Sequence, residues 1–248
     1  MTLEQFFAEN REVAIAFSGG VDSAYLLYAA TRYAARVKAY YVSTAFQPAF
    51  ELEDARRLAD ELGADMLVLH VDVLSNSAVT ANPSDRCYHC KNTLFRQILR
   101  AAENDGFPVL LDGTNASDDA GDRPGMRALR ELSVRSPLRE CGLTKAEIRR
   151  LSREAGLFTW DKPAYACLAT RIRTGEEITL QKLKQTEKAE GFLFGLGFRD
   201  FRVRMVGNIA KLELRETDLP LLLENREKIV TELRKDYDSV LLNLEVRK

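Results

Sequence analysis

Short apolar runs alternating with amphipathic stretches dominate the first two thirds of the chain. Residues 13–17, VAIAF, form an uninterrupted apolar run of the length expected for a strand buried on both faces. A glycine turn and the helix-like DSAYLLYAATRYA follow it. The segment VKAYYVST repeats the strand pattern, and AFELEDARRLADELG reads as an amphipathic helix. DMLVLHVDV is a third strand, with His70 expected as a buried strand residue, and FPVLLDGTN is a fourth that ends in a turn. Strands alternating with helices predict an α/β fold, a parallel sheet with helices on both faces. In such sheets ligands bind beyond the carboxyl ends of the strands, near the switch in strand order.

In SPLRECGLTKAEIRRLSREAGL, Thr144 can cap a helix, Glu147 completes a capping box and Gly156 ends it. DKPAYACLATRIRTGEEIT then reads as a loop. The pattern changes after about residue 178. A helix over Leu180–Gly191 leads to the strands FRVRMV and AKLELR, then a helix around Leu219–Lys235 and a last strand, SVLLNLEV. This predicts two domains, an α/β domain over 1–177 and a small α+β domain over 178–248.

Composition narrows the class. Across 248 residues, 46% apolar and 29% charged residues make a globular chain able to bury a core, and the net charge of −1 gives no overall drive toward nucleic acid or anionic membranes. The N-terminus carries acids where a signal peptide would carry a basic flank, and no apolar run is long enough for a membrane span. A cytoplasmic location and no membrane partner are therefore expected. In a reducing compartment a C-x-x-C pair points to metal binding or catalysis before a structural disulfide.

Two motifs carry chemistry. In FSGGVDSAYLL, Ser18, Gly19 and Gly20 follow a buried strand, while Asp22 and Ser23 open a helix. Glycines let the backbone approach a phosphate, the helix N-terminus supplies positive potential, and the two serines add hydroxyl donors. Asp22 is unsuited to direct phosphate contact and suits a Mg²⁺ ion bridging phosphates. No lysine follows the glycines, so the loop is not a Walker A motif. The second motif is RCYHCK, which places Cys87, His89 and Cys90 together; Cys167 lies apart, in YACLATR. Taken alone, these cysteines fit a zinc staple with Cys141 or His89 as fourth ligand, a thiol redox pair, core packing, or a site that handles sulfur. Cys141, just before a capped helix, reads best as a small partly buried hydrophobe.

The S-G-G-x-D-S loop resembles that of the PP-loop ATP pyrophosphatases, which cleave ATP between the α- and β-phosphates and form an AMP-activated intermediate. That resemblance implies ATP and Mg²⁺ as cofactors, with ATP on Ser18, Gly19, Gly20, Asp22 and Ser23. Ser43, at the end of the second strand, and Gly113 and Asn115 in the DGTN turn would complete the nucleotide site. Asp118 and Arg123 would border it. RCYHCK together with KPAYACLATRI further resembles the ATP-dependent sulfur transferases acting on pyridinium-3,5-biscarboxylate mononucleotide, along essentially the whole chain. In that group a carboxylate is adenylated and then sulfurated. The sulfur comes from a sacrificed cysteine matching Cys167, or from a [4Fe-4S] cluster held by three cysteines matching Cys87, Cys90 and Cys167.

An anionic nucleotide substrate needs cations near the activation site: Lys91, directly after Cys90, is expected to stabilise developing charge, and Arg171, four residues past Cys167, to contact the substrate. The resemblance implies further substrate contacts at Glu190, Arg202 and Arg204, and assembly into homo-oligomers around a small nucleotide substrate. The arginine pair of FRVRMV sits two apart, on one face of a strand. Where many relatives continue with histidines, this chain reads RMVGNIA, which puts a metal role for that strand in doubt. Two rival functions share the loop: tRNA thiolation, for which an extended basic surface would be expected, and ATP sensing without catalysis.

Overall fold

The computed structural model describes residues 1–118, 124–163 and 165–247. In chain order the elements begin with α1 (Leu3–Glu9), β1 (Glu12–Phe17), α2 (Val21–Tyr33), β2 (Arg36–Ser43), α3 (Ala49–Leu62) and β3 (Asp65–His70). They continue with α4 (Ser77–Thr80), α5 (Arg86–Asn104), β4 (Val109–Leu111), α6 (Pro124–Glu131), α7 (Pro137–Glu140) and α8 (Lys145–Glu154). The last group is α9 (Leu180–Gly195), β5 (Arg202–Val206), β6 (Ile209–Glu213), α10 (Leu219–Glu224), α11 (Arg226–Leu233) and β7 (Ser239–Leu242).

The chain divides into two compact units, Met1–Thr44 with Ala49–Val73 and Asp85–Ala164, and Ala45–Pro48 with Leu74–Ser84 and Tyr165–Lys248. The change of pattern near residue 178 marks only part of this division. Two earlier excursions also belong to the second unit, because hydrogen bonds stitch them to the segment that follows Tyr165. Leu168 N–H donates to the Phe46 carbonyl at 2.8 Å, Gly175 N–H to Asn82 and Ile178 N–H to Thr80. The buried Asn82 side chain donates to the Arg173 carbonyl at 2.8 Å. Pairings of this range leave no trace in local periodicity.

In the first unit the described strands form a parallel sheet in the order β3-β2-β1-β4. Alternate residues of each strand feed opposite faces. Val13, Ile15, Ala39, Tyr41 and Leu111 pack with α1, α2 and α8 on one side, and Ala14, Tyr40, Val42 and Leu110 pack with Ile98 and Ala102 of α5 on the other. The expected α/β class, a parallel sheet flanked by helices with a second small sheet elsewhere in the chain, is what the fold shows. The order reverses between β1 and β4, so the turns leaving Phe17 and Leu111 open side by side. His70 corrects an expectation. It ends the edge strand β3 and is exposed, since an edge strand has a neighbour on one side only.

The second unit has a three-stranded sheet in the order β5-β6-β7, antiparallel then parallel, with α9 and α11 in contact. The single helix expected near Leu219–Lys235 is broken at Asn225, whose side chain donates back to the Leu221 carbonyl at 3.0 Å.

Candidate active site

The loop between β1 and α2 is held by its own small side chains. Ser23 Oγ donates to the Gly20 carbonyl at 3.1 Å, Ser18 Oγ lies 3.0 Å from Ser23 Oγ, and Gly20 N–H donates weakly to Ser18 Oγ at 3.4 Å. Gly19 adopts a φ of +72°, and a Cβ there would sit 3.2 Å from Ala55 Cβ on α3. A positive φ at such close quarters is a place for glycine. Gly20 is the N-cap of α2 and provides no side-chain cap, so the amides of the first turn are open to a ligand from that side.

The DGTN turn presses on the same loop. A Cβ on Gly113 would lie 2.9 Å from the Ser23 amide nitrogen, a distance only glycine permits. Asp112, Thr114 and Asn115 are buried around it. Asn115 N–H donates to Asp118 Oδ2 at 2.9 Å, and Asn115 Oδ1 accepts from Ser117 N–H at 2.8 Å. Ser117 Oγ in turn accepts from Lys145 N–H at 3.0 Å, at the start of α8. The Thr144–Glu147 capping box that opens α8 forms as expected.

Asp22 is the chemical focus of this unit. Its Oδ2 accepts from Lys145 Nζ at 2.6 Å, whereas Oδ1 is buried with no hydrogen-bond partner. Burial raises its carboxyl above the ordinary range, Lys145 works against that, and the nearby Asp118 charge reinforces it. A buried carboxylate oxygen without a donor is costly unless a ligand supplies the missing charge. The donor set therefore fits a hard cation such as Mg²⁺, held at Asp22 Oδ1 beside the open amides of α2. Sequence reading missed Lys145. It lies 123 positions from Asp22, and its only local signal is its place just after a helix cap.

Ser43 ends β2, where its carbonyl accepts from Val71 N–H at 3.0 Å. Lys91 lies on α5, with its stem against the N-terminal turn of α6: a Cβ on Gly125 would be 3.2 Å from Lys91 Cδ. Arg123 lies outside the described residues.

Cys87 and Cys90 sit in the first turn of α5, not in an extended segment. The stretch KNTLFRQILRA carries a helical period that continues back through both cysteines. At a spacing of three they share a helix face. His89 falls between them around the turn and lies with its Nε2 3.4 Å from Asp85 Oδ2, which orients it toward the helix start. Arg86 Nη2 approaches Cys87 Sγ at 3.8 Å. Cys141 packs against the first-unit core, where burial raises its thiol. Two of the thiols that a cluster would require are thus paired on one helix, and Cys167 belongs to the other unit. Among the described residues no group of three or more His, Cys, Asp or Glu side chains is gathered so as to hold a metal ion.

In the second unit Cys167 precedes a 3₁₀ turn, Leu168–Arg171, and its carbonyl accepts from Thr170 N–H at 2.9 Å and Thr170 Oγ1 at 2.8 Å. Arg171 follows, only 1% exposed. The sequence assigns Arg171 to an anionic substrate; in the fold its guanidinium is enclosed by protein. Nε and Nη2 bind both oxygens of Glu190 at 2.7 and 3.1 Å, and Nη1 donates to the Ala166 carbonyl and Thr170 Oγ1. Tyr165 Oη also donates to Glu190, and Glu190 accepts from Val203 N–H at 2.9 Å. Burial and the Glu190 charge together push the Tyr165 phenol well above its usual range. Glu190 therefore joins the cysteine loop, α9 and β5.

Arg202 is buried at the edge of this cluster, with its guanidinium 5.9 Å from the Tyr165 ring centre. Its pKa falls to about 10, first through burial and then through repulsion from Arg171 and Arg247. Arg204, about two-fifths exposed, donates to Glu213 at 2.8 Å and to the Thr170 carbonyl at 2.6 Å.

Residues 4–118, the stretch holding both the glycine loop and the DGTN turn, match the family described as Asparagine synthase. The pyridinium-3,5-bisthiocarboxylic acid mononucleotide synthase of Lactiplantibacillus plantarum is 32% identical, over 94% of this chain and 85% of its own length. The chain belongs to the PP-loop ATP pyrophosphatase family. Its place there is among the relatives of that synthase, and its activity class is ATP-dependent sulfur transfer. An uncharacterized Synechocystis protein is 40% identical over 86% of this chain and 80% of its own length. An uncharacterized protein of Methanocaldococcus jannaschii is 30% identical over 96% and 91%. No described helix is long and apolar enough to cross a membrane.

Proposed function

We propose that this PP-loop enzyme uses ATP to adenylate a carboxylate of pyridinium-3,5-biscarboxylate mononucleotide and then converts it to a thiocarboxylate, a step toward a nickel-pincer nucleotide cofactor. The observation that carries the nucleotide half is the unpartnered Oδ1 of Asp22 beside the open turn of α2. The substrate follows from the kinship with the plantarum synthase along nearly the whole chain.

A carboxylate oxygen attacks the α-phosphorus of ATP, the bond from that phosphorus to the bridging oxygen breaks, and pyrophosphate leaves with its electron pair. The loop amides, Ser18 and Ser23 bind the departing phosphates. Mg²⁺ on Asp22 would neutralise their charge. Lys145 stands close enough to follow that charge as it develops, and Lys91 is the second cation proposed for this role. Ser43, Gly113 and Asn115 shape the nucleotide side of the site.

Sulfur then attacks the acyl-adenylate carbonyl and AMP leaves. With Cys167 as donor, its Sγ forms a thioester, and loss of the α-proton with cleavage of the Cβ–S bond releases the thiocarboxylate and leaves dehydroalanine. A [4Fe-4S] cluster on Cys87, Cys90 and Cys167 would supply sulfide instead; the pairing of Cys87 and Cys90 on one helix face supports that route. Arg202 and Arg204 bind the substrate phosphate, while Glu190 and Arg171 fix the loop that carries Cys167. Small-molecule chemistry in a homo-oligomer, with no nucleic acid partner, completes the reading.

The test is Cys167→Ala in anaerobically purified protein. Thiocarboxylate formation is expected to vanish while ATP still binds. Unchanged thiocarboxylate yield would refute the assignment. Iron and sulfide analysis, with mass spectrometry of residue 167 after turnover, separates the two sulfur routes.

A further inference from the structure

Both arginines of β5 reach the loop that carries Cys167, one on each side of the cysteine. Arg204 Nη1 donates to the Thr170 carbonyl at 2.6 Å, three positions after it. Arg202 meets Tyr165, two positions before it, with its guanidinium 5.9 Å from the ring centre. Arg202 Nη1 also donates to the Phe201 carbonyl at 2.8 Å and lies 4.0 Å from Asp200 Oδ1. The Tyr165 ring is shared, since the Arg171 guanidinium stands 4.9 Å from the same centre. The face of an aromatic ring carries partial negative charge and attracts cations within about 6 Å. One ring thus draws together two guanidiniums of like charge.

The hydroxyl of the same side chain does something else. It donates to Glu190, whose oxygens also take the Arg171 guanidinium and the N–H of Val203, the residue next to Arg202. Phe194 of α9 flanks the ring, with centres 6.3 Å apart. Tyr165 therefore has two separable ends. Its ring meets the cation of Arg202, and its oxygen ties the cysteine loop to the carboxylate that fixes β5. Removing the oxygen alone leaves the ring in place, whereas removing the ring takes both.

We propose that Tyr165 is a positioning residue that couples the phosphate-binding arginine Arg202 to the loop of Cys167: its ring sets Arg202 for a phosphate monoester, and its hydroxyl holds the loop for sulfur transfer. This rests on the reading that Arg202 meets the substrate phosphate and that Cys167 takes part in sulfur delivery. It goes beyond that reading by making binding and transfer depend on different atoms of one side chain. Phosphate binding, remote from the reacting carboxylate, then also orients the sulfur loop.

Two variants of the full-length, anaerobically purified protein test it, Tyr165→Phe and Tyr165→Leu. Calorimetry reads binding of pyridinium-3,5-biscarboxylic acid mononucleotide and of its dephosphorylated riboside; quenched single turnover with saturating mononucleotide and ATP reads the rate of thiocarboxylate formation. Tyr165→Leu is expected to weaken the mononucleotide about 5- to 30-fold and the riboside less than about twofold. Tyr165→Phe keeps the ring, so its mononucleotide affinity should stay within about twofold of the parent while its transfer rate falls about 10- to 100-fold. That split between affinity and rate is what a merely structural role would not produce. Equal weakening of both probes would leave Tyr165 a role in folding alone, and a Phe variant that transfers sulfur at the parent rate would overturn the coupling even where the Leu variant folds poorly. If Arg202→Ala leaves the preference for mononucleotide over riboside intact, the underlying phosphate assignment fails; if Arg202→Ala abolishes it while both Tyr165 variants match the parent, this inference alone fails.

Discussion

The phosphate loop and the cluster around Glu190 solve opposite problems. The loop is contiguous, made of glycines and serines, and leaves polar groups unsatisfied: the amides of the α2 turn and one oxygen of Asp22. The Glu190 cluster is assembled from residues far apart in sequence, and its members satisfy one another, with Arg171, Tyr165 and the Val203 amide all on one carboxylate. The first region waits for a ligand to complete it. The second is complete, and holds something else in place. Charge drawn out of solvent can thus serve binding in one place and rigidity in another, and the partner count tells them apart.

The largest expected effect that would sharpen this contrast is at Glu190. Glu190→Ala leaves the enclosed Arg171 guanidinium without its counter-charge, and urea unfolding should show a loss of about 3–5 kcal/mol. A loss under about 1 kcal/mol would mean that the cluster is not the frame described here. Next comes Gly113→Ala, which drives a methyl group against the Ser23 amide. Pyrophosphate release should fall about a hundredfold, equivalent to roughly 2.7 kcal/mol at the transition state, with ATP affinity falling alongside.

The smallest effect is the most diagnostic. Asp22 has a raised pKa in the fold, so the native state binds its proton more tightly than the unfolded chain does. Its contribution to stability is present below the unfolded pKa and is lost as pH rises through the folded one. Asp22→Asn should therefore match or slightly exceed the parent in denaturant resistance near about pH 7, with the gap closing toward about pH 4. The same variant should lose Mg²⁺-dependent ATP turnover. A clear destabilisation near neutral pH would show that Asp22 serves the fold before the ligand.

The two regions also differ in how far the sequence discloses them. The glycine loop, the strands that lead into it and the Thr144 cap can be read directly, because each depends on neighbours within a few positions. Gly113 is legible as part of a turn, though not its approach to Ser23, which requires β1 and β4 to lie side by side. Lys145 on Asp22 and Arg171 on Glu190 are partnerships of tertiary structure, and residue type alone gives Arg171 to the substrate. The motif RCYHCK is read for its cysteines, with no helix predicted over Cys87 and Cys90. The helical period of α5 extends back over them, and with it the face on which both sulfurs lie.

The bonds that shape the turn after Cys167 run through main-chain carbonyls and the neighbours Thr170 and Arg171, with Leu168 anchored to Phe46. None of these uses the sulfur atom. These particular bonds hold position 167 through its main chain, independently of its side chain.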